Sequence, residues 1–269
     1  MIYLKSFKLS PHRNANPNAY PYNIFGKYRG DVFIFDKITV LYGNNGSGKS
    51  TLLNLIANKL NIQGYEDIIS SDFSYYTRNY AAECTYSMGD SGNEGETDQL
   101  PQQSMYIKSE DILYEIKKIQ QEGVLREGYV YQHAKLGYTK EQLEELKQSE
   151  QMRRQIAIMK FANEKYSNGE TSMQIFDEYL VPGALFLLDE PETSLSPNNQ
   201  IRLAEEINRL ARFLDCQFII ATHSPFLLGT LGAKIYNLDS PQLRICQWHE
   251  LDNIRFFHQF FKAHEREFE

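Results

Sequence analysis

Gly43-Asn44-Asn45-Gly46-Ser47-Gly48-Lys49-Ser50 is the stretch that leaves this chain the least freedom. Three glycines fall within six residues, and glycine is the residue that turns a backbone through conformations closed to other side chains. Before the turn, residues 32–42 form an apolar run that reads as a strand. After it, Leu52, Leu53, Leu55, Ile56 and Leu60 recur at helical spacing. A strand must therefore turn sharply into a helix, with the helix's unsatisfied N–H groups facing the glycine-rich turn. That pattern, Gly-x4-Gly-Lys-Ser, builds a cradle for phosphate oxygens. Asn44, Asn45, Gly46, Ser47 and Gly48 are expected to line it, with Lys49 on the β- and γ-phosphates, Ser50 on Mg²⁺ and Thr51 beside them.

Composition narrows the setting. The 269 residues are enough for one sizeable domain, or one domain with an inserted lobe, and 42% of them are apolar, enough for a substantial core. A net charge of −7 argues against a broad basic surface for gripping duplex nucleic acid, although a local patch remains open. Cys84, Cys216 and Cys246 are odd in number, far apart and without a Cys-x-x-Cys pair, and read as buried thiols in a reducing compartment. The apolar runs 184–188 and 218–221 are strand-sized, too short to span a bilayer, and residues 1–10 alternate like a first strand rather than a signal peptide. The expected location is the cytoplasm.

Along the chain, residues 1–9 and 32–42 read as strands flanking a polar, proline-rich loop at 11–22, and residues 87–103 read as a mobile acidic loop. Two helices are expected at about 109–122 and 140–165, with Gly123, Gly128 and Gly137 punctuating the link between them. Then come a helix at about 170–180, a strand at 184–189, a helix at 197–213, a strand at 217–222, a helix near 225–231, a strand near 234–238 and a helix at 254–261. Alternating strands and helices imply a parallel sheet covered by helices. The division predicted is a first core segment at 1–107, an inserted helical lobe at 108–166 and a second core segment at 167–269.

A second functional element closes the strand at 184–189. Its apolar run ends in Asp189-Glu190. Asp189, at the strand's carboxyl end, can hold Mg²⁺, and Glu190 is placed to polarise an attacking water.

From Asp189-Glu190-Pro191 the chain resembles the ABC-type ATPase family, in its soluble bacterial AAA/ABC-like branch related to SMC and RecF-type heads. Tyr166-Ser167-Asn168-Gly169-Glu170-Thr171 looks like the family's signature loop, Glu192-Thr193-Ser194-Leu195-Ser196-Pro197 like its D-loop, and Ala221-Thr222-His223-Ser224-Pro225 like its switch-histidine segment. The resemblance implies an α/β P-loop NTPase fold of the ABC nucleotide-binding type: a parallel-sheet core, N-terminal antiparallel strands and a small inserted helical lobe. It implies ATP and Mg²⁺ as ligands and head-to-tail pairing of two copies around two nucleotides. Ser167, Asn168, Gly169 and Glu170 of one copy would then face the γ-phosphate held by the other. His223 would contact that phosphate, with Lys49 and Glu190 completing catalysis.

The chain departs from the family pattern in two places. Leu195-Ser196 stands where the family has Leu-Asp or Leu-His, and Lys108 falls near the place of the Q-loop glutamine. For the adenine, Phe25 and Tyr28 are candidates, or else they pack in the core. Arg153-Arg154 with Lys147 and Lys160 reads as a solvated helix face balanced by glutamates or, alternatively, as a contact for a phosphate backbone, and the aromatic run 256–261 as core packing or, if exposed, a partner-docking face. The function expected is ATP hydrolysis that controls a separate effector, such as a nuclease or toxin, in DNA repair or anti-phage defence. The alternatives are the ATPase subunit of a transporter, or an ATP-gated scaffold that scarcely hydrolyses.

Overall fold

A computed structural model describes residues 1–66, 74–89, 100–120, 122–165 and 168–268. Two sheets carry the chain. The smaller is antiparallel in the order β2-β1-β4, from β1 (Leu4–Lys8), β2 (Val32–Ile34) and β4 (Thr85–Met88). The larger runs β5-β6-β7-β3-β8-β9, from β3 (Ile38–Tyr42), β5 (Met105–Lys108), β6 (Leu185–Asp189), β7 (Gln217–Ala221), β8 (Lys234–Asn237) and β9 (Ile245–Cys246). All its pairings are parallel except β8 with β9. The fold is α/β, with a mostly parallel sheet and an added antiparallel one.

The central strands are buried on both faces, so they read as unbroken apolar runs. Phe186, Leu188, Phe218 and Ile220 pack toward α7 (Asn168–Tyr179), α8 (Pro197–Phe213) and α9 (Pro225–Thr230). Their alternates Leu185, Leu187, Ile219 and Ala221 pack toward α1 (Lys49–Leu60) and the smaller sheet. Leu52, Leu53, Leu55 and Ile56 of α1 are at most 3% exposed. At about 1.5–3 kcal/mol for each buried aliphatic side chain, α1 is anchored far more firmly than helix propensity alone could hold it. α8 starts where its sequence says it should, with Ser196 capping Asn199 N–H and Pro197 at the first helical position.

Several expectations need correcting. The run 32–42 is not one strand but two, in different sheets. The chain turns at Asp36-Lys37, where Asp36 N–H donates to Thr39 Oγ1 at 3.0 Å and the Asp36 carbonyl accepts from Gln217 Nε2 at 3.2 Å. That Gln217 amide, fully buried, also accepts from Tyr3 and Leu4 N–H and donates to the Leu4 carbonyl, each at 2.8 Å, and so ties the small sheet to the large one. A helix unmarked by the sequence, α2 (Ser74–Glu83), precedes β4. β4 takes in the first residues of the expected loop 87–103, whose positions 90–99 lie outside the described residues.

Between β5 and α7 the chain forms four helices rather than two: α3 (Ser109–Gln120), α4 (Glu122–Lys135), α5 (Lys140–Gln148) and α6 (Glu150–Lys165). Gly123 and Gly128 sit inside α4 instead of breaking it. A Cβ at Gly128 would meet nothing, so glycine there costs about 1 kcal/mol of propensity. The contact of Tyr129 with Leu146, Met152 and Ile156 outweighs that. Gly137, at φ +91°, closes α4 as expected, and the other signals are a Thr139–Gln142 capping box that opens α5 and Ser149, whose hydroxyl accepts from Met152 N–H. Lys147 pairs with Glu144 and Arg154 with Glu150 on exposed surface, as expected for a solvated face. The Lys160 side chain lies outside the described residues.

The final helix, α10 (Asp252–Ala263), also differs from expectation. It is held through Ile254 and the preceding Leu251, while Phe256, Phe257, Phe260 and Phe261 are 40–63% exposed. At about 100° per residue the four rings fall within an arc of about 140°, so they form one half-exposed apolar stripe along the helix. Among the described residues, no helix is long and apolar enough to cross a membrane.

Candidate functional site

The site forms at the carboxyl ends of β3, β5, β6 and β7, where an open parallel sheet offers its crevice. β3 delivers the phosphate loop, and Gly48 turns it into α1 with φ +97°. A Cβ at Gly48 would lie 2.7 Å from Ile24 and 3.0 Å from the Phe25 ring, so close packing and backbone sign both require glycine. Asp239, just beyond β8, accepts the Asn44 N–H on both carboxylate oxygens at 3.0 Å and braces the loop's entrance. Lys49, 4% exposed, folds back to donate to the Gly43 carbonyl at 2.8 Å and stands 3.5 Å from Glu190 Oε1.

β6 delivers Asp189 and Glu190. Asp189 is almost wholly buried, and Tyr106 on the neighbouring strand β5 donates its hydroxyl to Oδ2 at 3.1 Å. Burial pushes the Asp189 carboxyl above the ordinary range, against the hydrogen bonds from Ser50 and Tyr106 that pull it down. Its Oδ1 is buried without a hydrogen-bond partner. An acidic oxygen left bare beside the Ser50 hydroxyl is what a hard divalent cation would satisfy, so the donor set fits magnesium. Glu190 adopts φ +47°, a left-handed conformation that non-glycine residues rarely hold, with its N–H bonded to the Ala221 carbonyl. Its Oε1 is 3.5 Å from both Lys49 Nζ and His223 Nδ1. Three residues from three motifs thus meet at one carboxylate.

A cavity of about 250 Å³ opens in front of this cluster, and Ser50, Thr51, Asp189 and Glu190 line it together with Tyr20, Tyr106 and Lys108. Lys108 ends β5 and pairs with Glu66 at 2.6 Å. Tyr20 donates to or accepts from Thr51 Oγ1 at 2.7 Å. Tyr20, Tyr106, Glu66 and Asp239 were not singled out by motif reading. Only Tyr106, two positions before Lys108 on the same strand face, carried a usable signal. Phe25 and Tyr28 are fully buried and settle as core packing. Of the signature residues, Ser167 lies outside the described residues, Asn168 and Gly169 open α7, and Glu170 is exposed and does not line the cavity.

Residues 156–229 match a family described as "AAA domain, putative AbiEii toxin, Type IV TA system". That span holds the acidic pair and His223, and the phosphate loop faces them across the sheet. Solved structures similar to this chain include the SMC head domain from Thermotoga maritima, at 13% identity and TM-score 0.41, covering 91% of this chain and 98% of that one. An SMC head bound to the C-terminal winged-helix domain of ScpA aligns at 13% identity and TM-score 0.46, over 91% and 97%. A nucleotide-free ATP-binding cassette from an ABC transporter aligns at 12% and 0.43, over 91% and 94%. No curated protein matches the chain.

Proposed function

We propose that this chain binds Mg-ATP in the phosphate loop and hydrolyses it, two copies pairing head to tail so that the cycle controls a separate effector. The observation that carries the reading is the convergence on Glu190: Lys49 and His223 each lie 3.5 Å from the same carboxylate oxygen, beside a buried, half-unpaired Asp189. Lys49 would leave the Gly43 carbonyl for the β/γ-phosphate oxygens, a stronger charge-assisted partner. Ser50 and Asp189 would hold magnesium, which when bound supplies Lewis-acid polarisation of the terminal phosphate. Glu190 orients the attacking water, and His223 hydrogen-bonds the terminal phosphate. The signature segment 167–170 supplies the far wall of the partner copy's pocket.

The effector reading rests on the family's description as a toxin of a toxin–antitoxin system, which supports a defence-related output. The experiment is phosphate release and ATP binding in parent, Lys49→Ala and Glu190→Gln proteins, with mass by light scattering. Lys49→Ala should lose binding. Glu190→Gln should bind ATP, lose turnover by at least about 100-fold and run as a dimer only with Mg-ATP. A Glu190→Gln protein that turns over ATP at the parent rate refutes the catalytic assignment, and one that stays monomeric under saturating Mg-ATP refutes the pairing.

A further inference from the structure

Glu192, two residues beyond Glu190, is 7% exposed and belongs to none of the roles above. Its Oε1 accepts from the Thr222 hydroxyl at 2.7 Å and from the His223 backbone N–H at 3.1 Å, with His223 Nδ1 at 3.6 Å. Thr222 Oγ1 in turn accepts from Ser224 N–H at 3.0 Å. The Ser224 hydroxyl, which caps α9, donates to Gln200 Oε1 at 2.6 Å. Gln200, on the first turn of α8, donates through Nε2 to the Leu195 carbonyl at 2.9 Å. Leu195 N–H returns to the Glu192 carbonyl at 2.9 Å.

These bonds form a closed circuit through the loop after β6, the start of α8, the turn after β7 and the start of α9. A buried carboxylate is a costly way to accept two hydrogen bonds, and its Oε2 has no partner at all. Burial accordingly holds the Glu192 carboxyl above the ordinary range. A glutamine would have accepted both bonds without burying a charge. What the carboxylate adds is a second acidic oxygen beside the imidazole. His223 Nδ1 lies between Glu190 Oε1 at 3.5 Å and Glu192 Oε1 at 3.6 Å. Two carboxylates on that edge favour a proton on Nδ1, leaving Nε2 as the ring nitrogen free for the cleft.

We propose that Glu192 is a positioning residue that clasps the loop 190–196 to the turn 222–224, so that the two open and close as one unit and the loop's conformation sets the His223 imidazole. The proposal rests on the reading of His223 given above only for its effect on turnover; the clasp itself belongs to the free protein. Any partner surface that displaces the loop then moves the histidine, and the site senses its neighbour through Gln200 and Glu192 without a direct contact to nucleotide.

Two readouts test it on the full chain with Glu192→Ala, Glu192→Gln and Gln200→Ala. The first is hydrogen–deuterium exchange of the nucleotide-free protein. Segments 190–196 and 222–224 should speed up together, by about ten-fold, in Glu192→Ala and Gln200→Ala, with Glu192→Gln, which keeps an acceptor, close to the parent. Acceleration of one segment alone, or of neither, overturns the clasp whether or not the protein hydrolyses ATP. The second is steady-state turnover. Gln200→Ala lies outside the pocket and should lower kcat by about ten-fold while the ATP dissociation constant stays within about three-fold of the parent. Coupled exchange with kcat unchanged in both Glu192→Ala and Gln200→Ala would reduce the circuit to a structural brace and overturn the positioning role. A parent without any turnover would instead refute the proposed function and leave the exchange result to decide the clasp.

Discussion

Replacing Gln217 by leucine asks how much of this fold depends on a single buried amide. The side chain makes four hydrogen bonds: it accepts from Tyr3 and Leu4 N–H and donates to the carbonyls of Leu4 and Asp36. Leucine conserves much of the volume but satisfies none of the four. A buried N–H left bare costs about 1–3 kcal/mol, so the two donors set a penalty of about 2–6 kcal/mol. The carbonyls, with a second lone pair each, add less, and the extra apolar burial returns about 1–2 kcal/mol. The net is about 3 kcal/mol, which for a chain of this size lowers Tm by about 6–12 °C. Urea titration followed by circular dichroism should show the midpoint fall with an unchanged slope. Gln217→Glu keeps the two acceptor contacts, loses the donations and buries a charge, so it should be at least as damaging. A Gln217→Leu protein within about 2 °C of the parent would mean that the amide does not join the two sheets and that this accounting is wrong.

Three further outcomes follow from the geometry. Gly48→Ala should destabilise the nucleotide-free protein by about 2–4 kcal/mol and weaken ATP binding in calorimetry, because φ +97° and contacts of 2.7–3.0 Å leave no room for a methyl group. Asp189 has a native pKa above its unfolded value, so the native state keeps a proton that the unfolded chain has released. Stability should therefore decline as pH rises from the ordinary carboxylate range through the raised value. In melts run with a chelator, Asp189→Asn should flatten that slope and raise Tm at neutral pH, and added magnesium should stabilise the parent but not the variant. Phe256→Ser with Phe260→Ser should leave Tm within about 2 °C of the parent, since both rings already face water; a larger drop would place them in a core.

What was legible in the sequence was whatever sits close together along it. The phosphate loop, the acidic pair and the threonine–histidine turn are short segments at the ends of buried strands, and each strand shows as an apolar run. α8 was legible because capping and periodicity agree there, and α1 because its apolar periodicity starts directly after the glycine-rich turn. What escaped was pairing through space. Tyr106 meets Asp189 only because β5 and β6 are neighbours in the sheet, and Glu192 meets Thr222 only because β6 and β7 are. The strand at 32–42 was read as one because nothing in its alternation records that Asp36 bends toward a glutamine nearly two hundred positions away. The α10 phenylalanines misled for the opposite reason: hydrophobicity reports what water disfavours, not whether the fold has a surface to cover it.

The left-handed turn at Glu190 bears on how this chain could drift. A β-carbon in that conformation carries a penalty of about 1–2 kcal/mol that glycine avoids and asparagine reduces. Either replacement would relax the backbone, and each would leave the Lys49 ammonium without the negative charge opposite it. Selection for robustness alone would therefore erode this carboxylate, so descendants that had lost the acid would be sturdier and chemically silent.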